Sequence, residues 1–201
     1  MPRSSRNALL DAAERLVAEH GADIPLREIA VAAGQRNNSA VQYHFDSRDG
    51  LIEAVLARRL VALEARRGEM LADLEAQGRE RDVPALVRVL VEPMLLVPYA
   101  DGATHYARFV DRVRHLEVFR SKGPADPSWP VTGRVLAALG EELPFSGRVL
   151  GRRIENLVVV LFSLVAEEER RRVDDDEDST PVDETVATVT AMLLAPAGEG
   201  A

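Results

Sequence analysis

Apolar residues recur at helical spacing along the chain, and this periodicity limits the fold more than any other feature of the sequence. In the first segment they follow the i, i+4, i+7, i+8 pattern of an amphipathic helix: Leu9, Ala13, Leu16 and Val17. We find no strand-like alternation of apolar and polar residues. Since 46% of the residues are hydrophobic but only 4% are aromatic, the core must consist mainly of Ala, Val and Leu. The sequence therefore predicts an all-α fold.

Capping residues mark where several of these helices begin or end. Gly21 and Gly34 end the first two helices, Asn37 is a suitable cap for a short third helix, and Ser47 caps a long fourth helix that runs to about Glu75. Beyond them the pattern predicts five more helices, over 84–98, 101–120, 131–142, 145–172 and 181–195.

The last two of these helices carry more apolar surface than one packing face requires. In 145–172 a stripe at alternating three- and four-residue spacing is widened by further apolar side chains: Val158, Val160, Phe162 and Val165. We expect one face to complete the core of the subunit and the other, with helix 181–195, to pair with a second copy in a four-helix bundle. The alternative is a large monomeric core.

The stretch GQRNNSAVQYHF, residues 34–45, is unusually rich in hydrogen-bonding side chains. Val41 and Phe45 fall four residues apart on one helix face, which leaves the polar residues on the other. Two short helices joined by a glycine-containing turn are typical of a helix-turn-helix, whose second helix reads base edges in the major groove of DNA. The alternative is an ordinary exposed helix in which Asn37 is only a cap.

The run IAVAAGQRNNSAVQYHFDSRDGLIEAV, from Ile29 to Val55, resembles the N-terminal domain of the tetracycline-repressor (TetR) family. Members typically show an I-A-x-x-A-G turn, a short helix ending in Y-H-F, and then S-[KR]-x-x-L. The resemblance covers roughly the first 55 residues; the later helices agree with the family only in number, order and length. It implies a three-helix DNA-binding domain over 1–47 and a helical ligand-binding and dimerisation domain over 48–201.

By this resemblance, the DNA contacts divide into phosphate contacts and base readers. The implied phosphate contacts are Tyr43, His44 and Arg48, and the implied base readers are Asn38, Ser39 and Gln42, with Arg36 and Asn37 beside them and Arg3 or Arg6 on a flexible arm. The chain departs from the family pattern by one extra residue in the turn, at Gln35–Arg36. Pro25 also stands where a phosphate-contacting threonine is common, which removes a backbone N–H.

Charge has to be distributed unevenly if this domain binds DNA. The formal net charge is −8, and residues 1–50 carry six basic and seven acidic side chains. Arg27, Arg36 and Arg48 lie around the polar helix, and helix N-termini add hydrogen-bond donors for phosphates. We expect a DNA-facing surface that is locally basic, although the domain as a whole carries no net positive charge.

The same resemblance implies an effector pocket enclosed by the helices between 84 and 142. Its expected lining residues are apolar or aromatic: Met94, Tyr106, Phe109, Trp129 and Phe162, with Tyr99 and Phe119 nearby. His105, Arg108 or His115 are possible polar anchors. Each of these residues is equally compatible with an ordinary place in the core or at the surface.

Other classes of function have little support in the sequence. There is no cysteine, no H-E-x-x-H, no glycine-rich phosphate loop and no G-x-S-x-G, so we expect neither a cofactor nor an enzyme. The Asp111–His115 pair is more typical of a helix-surface ion pair. The N-terminus lacks a signal-peptide pattern, and the apolar run from Leu157 to Ala166 is about half of the ~20 residues that cross a bilayer, so we expect a cytoplasmic protein without a membrane partner.

The sequence is therefore interpreted as a ligand-responsive transcriptional repressor that binds a double-stranded, palindromic operator as a homodimer. Repression and activation are not distinguished, and neither the operator nor the small-molecule effector is identified. A helical partner-binding protein without operator affinity is the alternative.

Overall fold

The computed structural model describes residues 5–35, 39–96, 105–121, 126–174 and 182–197. Within these ranges the chain forms ten helices and no strand, which confirms the all-α prediction. The helices are α1 (Ser5–His20), α2 (Leu26–Ala32), α3 (Ser39–Phe45), α4 (Arg48–Ala76), α5 (Val83–Leu96), α6 (Tyr106–Val113), α7 (Glu117–Arg120), α8 (Pro130–Glu142), α9 (Gly147–Asp174) and α10 (Val182–Leu194).

Capping residues predicted from the sequence fix several of these boundaries. The Ser47 hydroxyl accepts a hydrogen bond from the Gly50 backbone N–H at 3.0 Å, as expected for the N-cap of α4. Gly21 and Gly34 follow α1 and α2 with φ values of 97° and 72°, a region that glycine enters without steric cost. Asn37 lies outside the described residues.

One predicted helix is wrong: the segment 101–120 is not continuous. Within its described part, α6 ends at Val113 and α7 begins at Glu117, with Leu116 in an extended conformation (φ −74°, ψ 150°) between them. This bend directs Phe119 towards the rings of Phe162 and Trp129, at centroid distances of 6.2 and 6.5 Å. Tertiary packing of aromatic residues therefore overrides a helical pattern that is locally acceptable.

A continuous apolar core joins the N-terminal helices to the rest of the molecule. It runs from Leu9 in α1 to Leu193 in α10, and includes Val41 and Phe45 of α3. Helix α1 packs against α2, α3 and α4 on the N-terminal side and also against α6, which itself packs on α9. The orientation of α1 to α3 therefore depends on contacts with α4, α6 and α9.

None of the helices in the described ranges combines the length and hydrophobicity needed to cross a membrane.

Candidate functional sites

Helix α2 and the turn after it form a tight, well-defined connection. Its inner face buries Ile29 and Ala30. The Gln35 backbone N–H donates to the Ala30 carbonyl at 2.8 Å, and the Gly34 N–H donates to the Val31 carbonyl at 2.9 Å. With Gly34 in the left-handed region, these two bonds form a Schellman motif, which ends the helix and reverses the chain.

Helix α3 presents a polar face because its apolar face is anchored. Val41 and Phe45 are only 1% and 6% exposed, whereas Tyr43 is 84% exposed and Ser39 and Gln42 are also at the surface. His44 is half-buried, and its ring lies 5.0 Å from that of Tyr43. Four predicted DNA contacts thus lie on the outer part of one short helix. Arg36, Asn37 and Asn38, the other three in this stretch, lie outside the described residues.

The end of α3 is fixed against the start of α4. A Cβ atom added to Gly50 would lie 2.2 Å from the Phe45 carbonyl oxygen, so only glycine permits this approach. Arg48 is half-buried, and its Nη1 donates to the carbonyls of Ala22 and Ile24, both at 2.7 Å. Arg48 therefore ties α4 to the α1–α2 connection, a structural role that the sequence did not reveal.

Two further arginines predicted to lie near the DNA occupy different positions in the structure. Arg6 lies within α1, with its guanidinium carbon 5.2 Å from the centre of the Phe45 ring, so it does not belong to an extended arm. Arg27 is exposed on α2. Arg3 lies outside the described residues, as does Arg36, and a locally basic surface stays a prediction.

The structure brings together three of the five residues predicted to line an effector pocket. Tyr106 lies 6.4 Å from Phe162, which is linked through Phe119 to Trp129. This aromatic chain joins α6, α7, α9 and the start of α8. Phe162 and Trp129 are half-buried and Tyr106 is buried. Met94 and Phe109 are buried in the core, on α5 and α6.

A buried polar cluster lies beside this region and was not predicted. Arg67 is 5% exposed; its Nη1 donates to Thr132 at 2.9 Å and to Glu64 at 3.3 Å, and its Nη2 donates to the Leu90 carbonyl at 3.2 Å. Among the described residues, its Nε has no hydrogen-bond partner. Glu64 also accepts hydrogen bonds from the backbone N–H groups of Val131 and Thr132 and so caps α8. The sequence signal is only a Glu–Arg pair three residues apart.

A cleft of about 340 Å³ lies elsewhere, between α4, α5 and α10. Leu74, Val89 and Val186 are among the apolar residues that line it, and Arg88 also lines it. None of the five residues predicted for the effector pocket lines this cleft.

A second group of buried charges lies where α1 meets the later helices. Glu14 in α1 is 1% exposed and pairs with Arg58 Nη2 at 3.0 Å and Arg59 Nε at 3.7 Å. Arg58 also donates to Asp11 at 2.6 Å. Burial raises the pKa of Glu14 from 4.5 to about 7, against the opposing effect of the two arginines. Burial likewise lowers the pKa of Arg59 to about 10.

A carboxylate from α9 caps the N-terminus of α6. Glu169 is 4% exposed and accepts hydrogen bonds from the backbone N–H groups of Ala107 and Arg108, both at 3.0 Å. The Arg108 side chain lies 3.7 Å from the same carboxylate and contacts His105. Burial, and then the nearby charge of Arg108, lower the pKa of His105. His115, the other predicted histidine anchor, is exposed.

The N-terminal segment and the whole chain each resemble known proteins. Residues 9–55 match the family model for bacterial regulatory proteins, tetR family. The structure of the reduced form of NemR from E. coli is 18% identical, with 96% of this chain and 100% of that chain covered and a TM-score of 0.51. No curated protein matches the chain.

Two further solved structures align over nearly the full length. One is the multidrug binding protein EbrR complexed with imidazole, 21% identical over 98% of each chain with a TM-score of 0.48. The other is a transcriptional regulator described as putative from Rhodococcus sp. RHA1, 22% identical over 96% of this chain and 97% of that one, with a TM-score of 0.43. At this level of identity, the NemR alignment supports the arrangement of helices alone.

Proposed function

We propose that the chain is a member of the tetR family of bacterial regulatory proteins, whose family model its residues 9–55 match, and that it is a ligand-responsive repressor that binds a palindromic operator as a homodimer. The observation that carries the proposal is α3, whose polar face is exposed while Val41 and Phe45 hold the opposite face in the core. A transcriptional regulator acts on the chromosome, so we place it in the cytoplasm. We propose no catalytic role.

The proposed reading of DNA assigns different tasks to the residues of α3. Ser39 and Gln42, with Asn38, read base edges, because amide and hydroxyl groups pair with donor and acceptor patterns in the major groove. Tyr43 and His44 contact phosphates from the same face, and Arg48 does so while also holding the α1–α2 connection. Arg36 and Asn37 complete the proposed contact surface.

A homodimer is proposed because one recognition helix reads too few base pairs to select a site. Helix α10 leaves small and apolar side chains exposed at helical spacing: Ala187, Ala191 and Leu194, the last 43% exposed. On α9, Val159 is 41% exposed. We propose that these faces pair with their counterparts in the second subunit, so that 1–47 binds DNA and 48–201 dimerises and binds the effector.

The effector region is proposed at the aromatic chain of α6 to α9. In this chain Phe162 and Trp129 are half-buried and Tyr106 is buried. Met94 and Phe109 are buried in the core and are proposed to complete the lining of the effector region. A largely apolar small molecule that inserts here changes the position of α6 and hence of α1, which packs on it. The dimer then holds its recognition helices at a separation unsuited to major grooves about 34 Å apart.

Selection of bound DNA from a random pool of duplexes tests the proposed function. The expected result is enrichment of a two-fold symmetric sequence, which reports DNA binding, symmetry and half-site spacing together. Failure to enrich any sequence would favour the alternative, a partner-binding protein of the same fold. Enrichment of a single, asymmetric half-site would refute the dimer while keeping DNA binding.

A further inference from the structure

The cleft between α4, α5 and α10 offers apolar surface in a space of small-molecule size. Its volume of about 340 Å³ falls within the roughly 300–1,000 Å³ that is typical of ligand pockets. Apolar residues from all three helices line it: Met70 and Leu74 of α4, Pro84, Ala85 and Val89 of α5, and Val186 of α10. Met70 and Leu74 are half-buried, so they keep apolar surface available to an occupant. A molecule that fits here must therefore have an apolar body.

The positively charged side chains that line the cleft already have anionic partners. Arg79 donates to Asp82 from Nε at 3.3 Å and from Nη2 at 2.8 Å. Arg88 pairs with Asp183 at the start of α10. Asp82 also accepts a hydrogen bond from the Ala85 backbone N–H at 3.1 Å and so caps the N-terminus of α5. Because an anionic ligand would have to compete with these carboxylates, the cleft does not favour an anion.

Asp73 is a negatively charged residue of the cleft that lacks such a partner. Its side chain is exposed and lines the cleft, and no other side chain in the described part of the chain pairs with its carboxylate. It also lies in the last turn of α4, which ends at Ala76 and contains no basic residue. The carbonyl groups at a helix C-terminus carry a partial negative charge, which a nearby cation stabilises. Asp73 and the end of α4 therefore create a negative potential beside the apolar surface.

We propose that the cleft is a second small-molecule site, selective for an amphipathic cation whose ammonium group binds Asp73 and whose apolar body packs on Met70 and Leu74. An ammonium group supplies both the positive charge and the hydrogen-bond donors that a carboxylate accepts. The site is separate from the proposed effector region, because the two share no lining residue. It also does not depend on operator binding.

Three probes of nearly the same shape test this selectivity. Phenylbutylammonium, phenylbutanol and phenylbutanoate carry the same apolar body with a cationic, a neutral or an anionic end. Each is titrated into the full chain at pH 7 and constant low ionic strength, and the methyl signals of Met70, Val89 and Val186 are followed by NMR. The indole signal of Trp129, the only tryptophan in the sequence, reports separately on the effector region. We expect saturable methyl shifts with the cation, binding of the alcohol that is weaker by about threefold or more, and still weaker binding of the anion.

Removal of the Asp73 charge should remove the preference for the cation. Asp73→Asn keeps the shape of an exposed side chain, so the variant should fold, and it should bind the cation about threefold more weakly and the alcohol as before. Glu141→Gln is the matched control, because Glu141 carries the same charge and is exposed on α8 but does not line the cleft. This control should bind all three probes as the wild type does.

Three results would overturn the proposal. Equal affinities of the wild type for the cation and the alcohol, or a preference that persists in Asp73→Asn, would show that Asp73 does not select the ligand. Shifts confined to Trp129 would place the probe in the effector region instead of the cleft. No saturable shift up to millimolar concentration would mean that the cleft does not bind such a cation. None of these results bears on the selection of operator DNA, which tests the proposed function separately.

Discussion

Gly50 occupies the point at which the end of α3 meets the first turn of α4. The Gly50→Ala substitution should destabilise the protein by more than about 2 kcal/mol, because the new Cβ would lie 2.2 Å from a backbone oxygen that cannot move without displacing α3. Urea denaturation measures the change. Gly68→Ala, in the same helix, is the control: its Cβ would meet Val131 at an ordinary 3.8 Å, so a gain of up to about 1 kcal/mol is expected from helix propensity. Similar effects of the two substitutions would contradict this account.

Gln42 and Arg48 should affect DNA binding in different ways. Gln42→Ala should relax specificity at one base position with little change in stability, since the side chain is exposed. Arg48→Ala should weaken binding to all sequences and lower the salt slope by about one, and it should also destabilise the fold by roughly 1–3 kcal/mol because Ala22 and Ile24 lose a charged donor. Binding at several salt concentrations, with parallel denaturation, separates these effects. An unchanged salt slope for Arg48→Ala would mean that the residue acts only within the fold.

At the scale of single residues, the sequence predicts periodic positions far better than long-range polar contacts. Val41 and Phe45 were identified as core from their spacing, and both are buried. Nothing local indicates that Arg58 reaches Asp11 and Glu14 from 44 to 47 positions away, or that Glu169 caps α6. Such pairs exist only once the helices have packed, so they have no signature in a window of one or two turns.

At the scale of elements, caps and breaker residues predicted most boundaries, and packing decided the exception. The predicted start of α4 and its extent to about Glu75 agree with Arg48–Ala76. The α6–α7 break at Leu116 was missed because neither glycine nor proline marks it; the aromatic contacts of Phe119 accompany the bend. The aromatic chain itself was partly predicted, since the family resemblance places Tyr106, Trp129 and Phe162 together in an implied pocket.

The exposed faces of α9 and α10 can be tested as a dimer interface. Ala191→Arg should convert the dimer into a monomer, because a long charged side chain would replace a small one at the centre of the exposed α10 face. Light scattering at micromolar concentration should then give about half of the wild-type mass. Ala65→Arg, on the exposed side of α4, should leave the mass unchanged. A wild-type protein of 22.0 kDa in solution would refute the interface.

At the scale of the whole molecule, the proposed function gives α1 a part in both DNA binding and effector binding. It packs on α3 and also on α6, so an effector that shifts α6 and an operator that fixes α3 would act on the same helix. Linkage then requires that DNA weaken effector binding by the factor by which the effector weakens DNA binding. A small molecule with equal affinity for free and operator-bound protein is therefore not the inducer.

The stability of the whole chain should depend on pH through Glu14. Its pKa is about 7 in the folded protein and 4.5 in the reference state, so the folded protein binds more protons between these values. The contribution of Glu14 to the free energy of unfolding should therefore be greatest below about pH 4.5. It should fall by up to about 3 kcal/mol as the pH rises to about 7, and then level off.

Other groups act in the opposite direction, so the comparison must be made with a variant. The lowered pKa of His105 makes its own contribution to stability rise with pH through the same window. Urea denaturation of wild type and Glu14→Gln at several pH values between 5 and 8 removes this common contribution. The difference in unfolding free energy, wild type minus variant, should decrease as pH rises. A difference that stays constant would mean that Glu14 is ionised throughout, held by Arg58 and Arg59 strongly enough to offset its burial.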